Sequence, residues 1–155
     1  MLKQLKQLVI DTEGRYATAE ELAFIKDFLA SSETRISIYE KIRDQEESLL
    51  DEFEFDALSL DESTYIVGTK NCHWIARRDC KLILRYLAIS VLANSLERYR
   101  DGLLVWHRTI VKANRVQESS KKVRAAEYRV LEKNLSEEEF DYVKPALMLS
   151  QSLLQ

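Results

Sequence analysis

Residues that form turns are scarce in this chain. Its 155 residues include only 3 glycines and 1 proline, whereas 46% are hydrophobic and 32% are charged. A sheet protein of this length needs many tight turns, and glycine and proline are the residues that usually form them. The composition therefore predicts an all-α protein. The length is that of a single domain, residues 1–155, built around one hydrophobic core.

Cysteine and histidine are also scarce, which excludes most sites for catalysis or metal binding. Two cysteines, Cys72 and Cys80, are too few for a disulfide framework. On one helix they would lie roughly 12 Å apart along the axis, too far for a bridge. The sequence contains no glycine-rich phosphate loop, no His-x-x-x-His pair and no Cys-x-x-Cys pair. We therefore expect a protein that is not an enzyme and has no metal site.

Neither a large charge of one sign nor a long apolar run is present. The 23 basic and 26 acidic residues give a net charge of −3, which provides no positive field for phosphate backbones, so we expect no nucleic-acid partner. No run approaches the roughly 18 apolar residues of a membrane-spanning helix, and the amphipathic start of the chain differs from a secretory signal peptide. We expect no membrane insertion and a cytoplasmic location.

Apolar residues recur at helical spacing along most of the chain, which predicts about seven to eight helices. A short first helix over 2–10 should end before Gly14, and Thr18 with Glu21 forms the capping-box pattern that starts a helix at Ala19. The further predicted segments are two or three helices over 19–57 with a break near Ser31 and Ser32, a loop over 58–70, a central helix over 71–97, helices over 103–113 and 121–131, and a last helix from Ser136.

The central helix carries charged residues beside its apolar face. Arg78 and Asp79 lie next to that face. The face is expected to include Cys72, Ala76, Cys80, Ile83, Leu87 and Val91. A charge that leaves water must be paired or must bind something polar, because an isolated buried charge is very costly. One alternative is pairing with another helix. The other is a ligand that offers N–H groups to the carboxylate and carboxylates to the guanidinium.

Two segments resemble the phycobiliproteins, the globin-related light-harvesting subunits that hold linear tetrapyrroles. Residues 76–86, Ala-Arg-Arg-Asp-Cys-Lys-Leu-Ile-Leu-Arg-Tyr, resemble the family's Cys-x-Arg-Asp motif followed by Leu-Arg-Tyr. Residues 11–18, Asp-Thr-Glu-Gly-Arg-Tyr-Ala-Thr, resemble its Asp-x-x-Gly-x-Phe-Leu-Ser stretch. The resemblance covers essentially the whole chain. It implies a globin-like phycobiliprotein fold in which two extra N-terminal helices over 1–30 form a dimer and residues 31–155 form the globin-like core.

The resemblance also implies roles for individual residues. Asp79 would engage the pyrrole N–H groups of a linear tetrapyrrole, or bilin, and Arg78 would pair with one of its propionates. Asp11 of one subunit would meet Arg85 of its partner across the dimer interface. Each of these implied contacts pairs groups of complementary charge or hydrogen-bonding character.

One position departs from the family pattern. The family attaches its chromophore through a cysteine three residues before the aspartate, and Ala76 occupies that position. A thioether at the usual atom is therefore impossible, although Cys72 and Cys80, one turn to either side, could reach a differently placed vinyl group. This profile is similar to the bilin biosynthesis-associated globins. We predict a non-enzymatic protein that binds a bilin such as phycocyanobilin or biliverdin non-covalently, in bilin biosynthesis, carriage or sensing.

Two alternative functions stay open. The protein could be a ligand-free interaction or assembly protein that kept the phycobiliprotein fold, or a haem-binding globin relative that uses His107 as the axial ligand. A groove beside Arg78 and Asp79 would argue against the ligand-free alternative. The expected partners are a second copy of the chain and, as candidates, bilin-pathway enzymes. The acidic stretch 44–62 and the basic segment 121–129 are candidate docking segments for such an enzyme.

Overall fold

The computed structural model describes residues 2–154, which are predominantly helical. The elements in this part of the chain are α1 (Leu2–Asp11), α2 (Ala23–Ala30), α3 (Ser32–Asp44), α4 (Glu46–Leu60), β1 (Ile66–Val67), β2 (Lys70–Asn71), α5 (His73–Leu92), α6 (Leu96–Tyr99), a π-helical turn (Arg100–Leu104), α7 (Val105–Ala113), α8 (Gln117–Asn134) and α9 (Glu137–Leu153). The π-helical turn joins α6 to α7 without a gap. When these three segments are taken as one rod, the described residues form eight helices, and the predicted all-α, globin-like phycobiliprotein fold is confirmed.

The N-terminal arm, residues 2–30, begins its second helix later than the sequence predicts. The capping box forms, since the Thr18 N–H donates to the Glu21 carboxylate at 2.8 Å and the Glu21 N–H donates to the Thr18 hydroxyl at 3.2 Å. The next residues form turns, and α2 begins at Ala23 rather than at Ala19. The backbone bonds there alternate between four-residue and three-residue spacing, so the first turn is not yet a regular α-helix.

The long helices pack around one core. Helix α5 contacts α3, α4 and α9, and α8 packs against α4 and α9. The inward face of α5 is buried as predicted, with Ile83 and Leu87 each 1% exposed. The other large side chains that are fully enclosed include Tyr99, Phe53, Ile38, Leu50, Leu104, Leu131 and Leu147. This core packs against the inward face of α5, the helix that carries the predicted site residues.

The predicted loop over 58–70 is wrong in part. Helix α4 continues to Leu60, and β1 pairs antiparallel with β2 in a two-stranded hairpin whose turn contains Gly68 with a φ of 62°. That positive φ is one that glycine adopts at little cost. Two strands of two residues carry too little alternating pattern to be predicted from sequence.

The central helix is also shorter than the predicted 71–97. It begins at His73, so Cys72 occupies the N-cap position just outside it. It ends at Leu92, and Asn94 follows with a φ of 46°, a left-handed conformation that asparagine tolerates after a helix. The helix predicted over 103–113 begins as the π-helical turn, and the helix predicted over 121–131 extends over the whole of α8.

The last helix begins as predicted from its capping box. The Ser136 hydroxyl accepts from the Glu139 N–H, and the Glu139 carboxylate accepts from the Ser136 N–H. Pro145 lies inside this helix. Within residues 2–154, every helix is too short or too polar to cross a lipid bilayer.

Candidate functional site

A cavity of about 350 Å³ opens beside the N-terminal half of α5. This volume is within the range of about 300–1,000 Å³ that small-molecule sites usually have. The lining comes from the hairpin region, α5, α7 and α8, and it includes all five residues that the sequence predicts for ligand binding: Cys72, Ala76, Arg78, Asp79 and Cys80. Apolar side chains form much of the wall, among them Val67, Ile75, Ile110, Val111, Val116 and Val123.

The Arg78 and Asp79 side chains pair with each other at the edge of this cavity. The Arg78 guanidinium donates from Nε at 3.0 Å and from Nη2 at 2.8 Å, and both bonds go to Asp79 Oδ1. Within the described part of the chain, Asp79 accepts no other hydrogen bond, so Oδ2 is available to a ligand. The Arg78 side chain is 64% exposed and that of Asp79 is 22% exposed. A pair this exposed contributes little to stability.

The Arg78 guanidinium also lies close to an aromatic ring. The Arg78 guanidinium carbon lies 5.8 Å from the centroid of the Trp74 ring, within the distance of a cation–π contact. Trp74 is 65% exposed although it is a large apolar residue. A planar ligand that extends out of the cavity past Arg78 would therefore meet the indole of Trp74 beside the guanidinium.

The two cysteines lie in different environments, and both are free. Cys80 is 4% exposed, and burial raises the pKa of its thiol to about 12. Since the thiolate is the nucleophile, Cys80 is inert at neutral pH. Cys72 is half-buried at the start of α5 and also lines the cavity. Of the two residues, Cys72 is the one that a ligand can reach.

A buried ion pair that the sequence does not predict lies beside the cavity, and its arginine, Arg124, is part of the lining. Arg124 and Glu127 on α8 are 4% and 3% exposed, and Arg124 Nη1 lies 2.6 Å from Glu127 Oε1. The Arg124 Nη2 donates to Cys80 Sγ at 3.2 Å. The only signal in the sequence is the three-residue spacing of opposite charges on the face that carries Val123 and Val130.

His107 lines the same cavity from α7 and is 7% exposed. Burial, together with the positive charge of Arg124, lowers its pKa below the ordinary value, so the imidazole is neutral at pH 7. A neutral imidazole is the form that haem iron requires. Within residues 2–154 there is no group of three or more His, Cys, Asp or Glu side chains arranged to hold a metal ion.

The predicted interface residues do not meet within one chain. The Asp11 carboxylate accepts from Gln7 Nε2 at 2.7 Å. The Arg85 guanidinium donates to both oxygens of Glu46, at 2.6 and 2.7 Å. Their predicted contact joins two subunits and stays a prediction.

The two candidate docking segments use many of their charges within the chain. Arg77 of α5 donates to three acidic residues of α4, namely Glu47, Asp51 and Glu54, at 2.8 to 2.9 Å. Basic residues of α8 pair with the same acidic stretch: Lys122 with Asp61, Arg129 with Asp56 and Lys133 with Glu52. These pairs join α4 to α5 and α8, so both segments contribute to contacts between helices.

An all-α, globin-like domain of this kind is the architecture of a phycobiliprotein. The family model described as phycobilisome protein matches residues 8–147 of the 155. The chain therefore belongs to the phycobilisome protein family. Members of this family bind bilins and assemble as oligomers. No curated protein sequence matches the chain.

Proposed function

We propose that the protein is a non-enzymatic binding protein that holds a linear tetrapyrrole non-covalently in the cavity beside α5. Its role would be in bilin biosynthesis, carriage or sensing. The observation that carries the proposal is the Arg78–Asp79 pair, which makes no hydrogen bond to another helix among the described residues and which borders an apolar cavity. A bilin offers the complementary groups, since it has pyrrole N–H donors, two propionates and an extended apolar face.

Each polar residue has a separate task in this arrangement. Asp79 accepts hydrogen bonds from the pyrrole N–H groups through Oδ2, which has no protein donor in the described chain. Arg78 keeps Nη1 free of hydrogen bonds to Asp79, and that nitrogen donates to a propionate. The apolar wall removes the ring faces from water, which supplies most of the binding free energy.

Two observations support non-covalent binding. Ala76 stands at the position that corresponds to the family's chromophore cysteine, and it lines the cavity. Cys80 is buried and protonated, so it does not attack a vinyl group. Cys72 is the remaining thiol. If the bilin were attached to Cys72 through a thioether, a Cys72→Ala variant would lose the attachment.

The protein offers a matched control for the role of Asp79. Arg100 and Asp101 form the same adjacent pair, with Nε donating at 2.7 Å and Nη2 at 3.1 Å, but they lie outside the cavity lining. Asp79→Asn should weaken biliverdin binding by about tenfold or more, because a hydrogen bond to a charged acceptor is lost. Asp101→Asn should leave the affinity unchanged. Equal affinities of the two variants in a fluorescence or absorption titration would sink the role of Asp79.

A homodimer through the N-terminal helices is part of the proposal. Helix α2 has no buried residue, and the arm exposes large apolar side chains: Val9, Ile10, Tyr16 and Leu29. These exposed apolar side chains would be covered if the N-terminal helices of two copies pack together. The Asp11 to Arg85 contact between subunits would align the two copies. Bilin-pathway enzymes are further candidate partners, and the proposed location is the cytoplasm.

Haem binding through His107 is the second candidate function. It is favoured by one observation, the neutral imidazole in the cavity wall. Bilin binding is preferred because it gives a task to Arg78 and Asp79 as well. Haem titration of the wild type and a His107→Ala variant separates the two functions.

A further inference from the structure

The inner wall of the cavity holds an arginine with unmatched hydrogen-bond donors. A guanidinium has five N–H donors. Arg124 is 4% exposed and uses Nη2 on Cys80 Sγ. Its Nη1 lies 2.6 Å from Glu127 Oε1, but neither atom is aligned for a hydrogen bond, and Nε has no partner among residues 2–154. Leaving buried donors unmatched costs free energy, so an acceptor delivered through the cavity would be bound there.

The surroundings of Arg124 favour an anionic acceptor. The titratable groups that face Arg124 and Glu127 are Cys80 of α5, Tyr65 next to β1, Tyr99 of α6 and His107 of α7. Burial keeps all four neutral at pH 7, because it raises the pKa of the thiol and both phenols and lowers the pKa of the imidazole. Glu127 is therefore the only anion paired with Arg124 among the described residues.

We propose that Arg124 is an internal anchor for a carboxylate of the bound ligand, and that Glu127 balances its charge while the cavity is free. This inference rests on the proposed function, since it names the second group by which the site recognises a tetrapyrrole dicarboxylate. The ligand carboxylate takes the place of Glu127 as the counter-ion of Arg124, and the Glu127 carboxylate accepts a proton from solvent. The buried charge is balanced before and after binding, which avoids an uncompensated anion.

The protonation of Glu127 is consistent with its environment. Burial raises the pKa of the Glu127 carboxyl to about 7, so it accepts a proton near neutral pH. Arg78 at the rim and Arg124 in the inner wall would then hold the two carboxylates of one ligand at different depths. The site would distinguish the two ends of the tetrapyrrole.

The test compares biliverdin with its dimethyl ester, which lacks free carboxylates. Both ligands are titrated into the wild type, Glu127→Gln and the double variant Arg124→Met with Glu127→Met. The double variant removes both charges, because removing one member of a buried pair often unfolds a protein whereas replacing both by apolar groups is tolerated. The matched control is Arg129→Met with Asp56→Met, which removes an ion pair of α8 outside the cavity. Circular dichroism and thermal unfolding verify that every variant is folded.

We expect the wild type to prefer the acid over the ester. The double variant should lose about tenfold or more of its affinity for the acid and keep its affinity for the ester, because only charge-assisted hydrogen bonds are removed. Glu127→Gln should bind the acid more tightly than the wild type does. The control pair should leave both affinities unchanged.

The outcomes separate this inference from the proposed function. If the wild type binds acid and ester equally, or if the double variant keeps the wild-type preference, the protein is a bilin-binding protein and the internal anchor is refuted. If the wild type binds neither compound, the proposed function fails and the anchor fails with it. Unchanged acid affinity in Glu127→Gln would overturn the exchange of counter-ions.

Discussion

Replacing Glu127 by glutamine should remove a pH dependence of stability that arises from its burial. In the unfolded chain this carboxyl has a pKa of 4.5, and burial in the folded protein raises the pKa to about 7. Between these pH values the folded state binds more protons than the unfolded state, so stability falls as the pH rises. The contribution is fully present below about pH 4.5 and is lost through pH 7. At about 1.36 kcal/mol per pKa unit it amounts to about 3 kcal/mol.

The assay is urea unfolding of the wild type and Glu127→Gln, followed by helical circular dichroism from pH 5 to 8. His107 contributes with the opposite sign, because its pKa is lowered by burial, and its contribution is lost as the pH falls. Both proteins contain His107, so its contribution cancels in the difference between their free energies of unfolding. Because part of the contribution is already lost at pH 5, the wild type should lose about 2.5 kcal/mol relative to the variant from pH 5 to 8. A difference that stays constant, or that changes in the opposite direction, would refute the assignment.

Three other substitutions test separate parts of the account. Arg85→Gln should lower the dimer mass in light scattering while changing stability by less than about 1 kcal/mol, since the Arg85 side chain is 58% exposed in its pair with Glu46; an unchanged mass would refute the interface. His107→Ala should leave biliverdin binding in place, and a Soret band with haem in the wild type that disappears in this variant would favour the haem alternative. Ile83→Ala should cost about 2–5 kcal/mol in chemical unfolding, because Ile83 is 1% exposed in the core; a cost near zero would contradict the packing of α5.

Much of the helical architecture could be predicted from the sequence because its signals are local. The capping box at Ser136 fixes the start of α9, and the apolar spacing around Ile83 and Leu87 predicts the buried face of α5. Ala76 and Cys80 share the cavity because residues four apart lie on the same side of a helix. Local signals predict less about the ends of elements, so α2 and α5 both begin later than expected.

Contacts between distant segments could not be predicted in the same way. In the sequence, Arg124 and Glu127 belong to a basic amphipathic helix, and nothing local distinguishes a charge that packs inward from one in solvent. Their burial depends on the way α8 packs against α4 and α9. The partners of Arg77 are also set by packing, since they lie on α4, more than 20 residues earlier. A cavity wall that four segments form together can be predicted only when the packing of the whole fold is known.

The central claim is that the cavity holds a bilin reversibly. The most direct measurement is the absorption spectrum of the protein purified from cells that co-produce biliverdin or phycocyanobilin, recorded before and after denaturation. We expect a sharpened, red-shifted long-wavelength band that is lost on denaturation, with no zinc-stained band on a denaturing gel. A colourless protein would contradict bilin binding and favour the ligand-free assembly role, and a fluorescent gel band would contradict non-covalent binding.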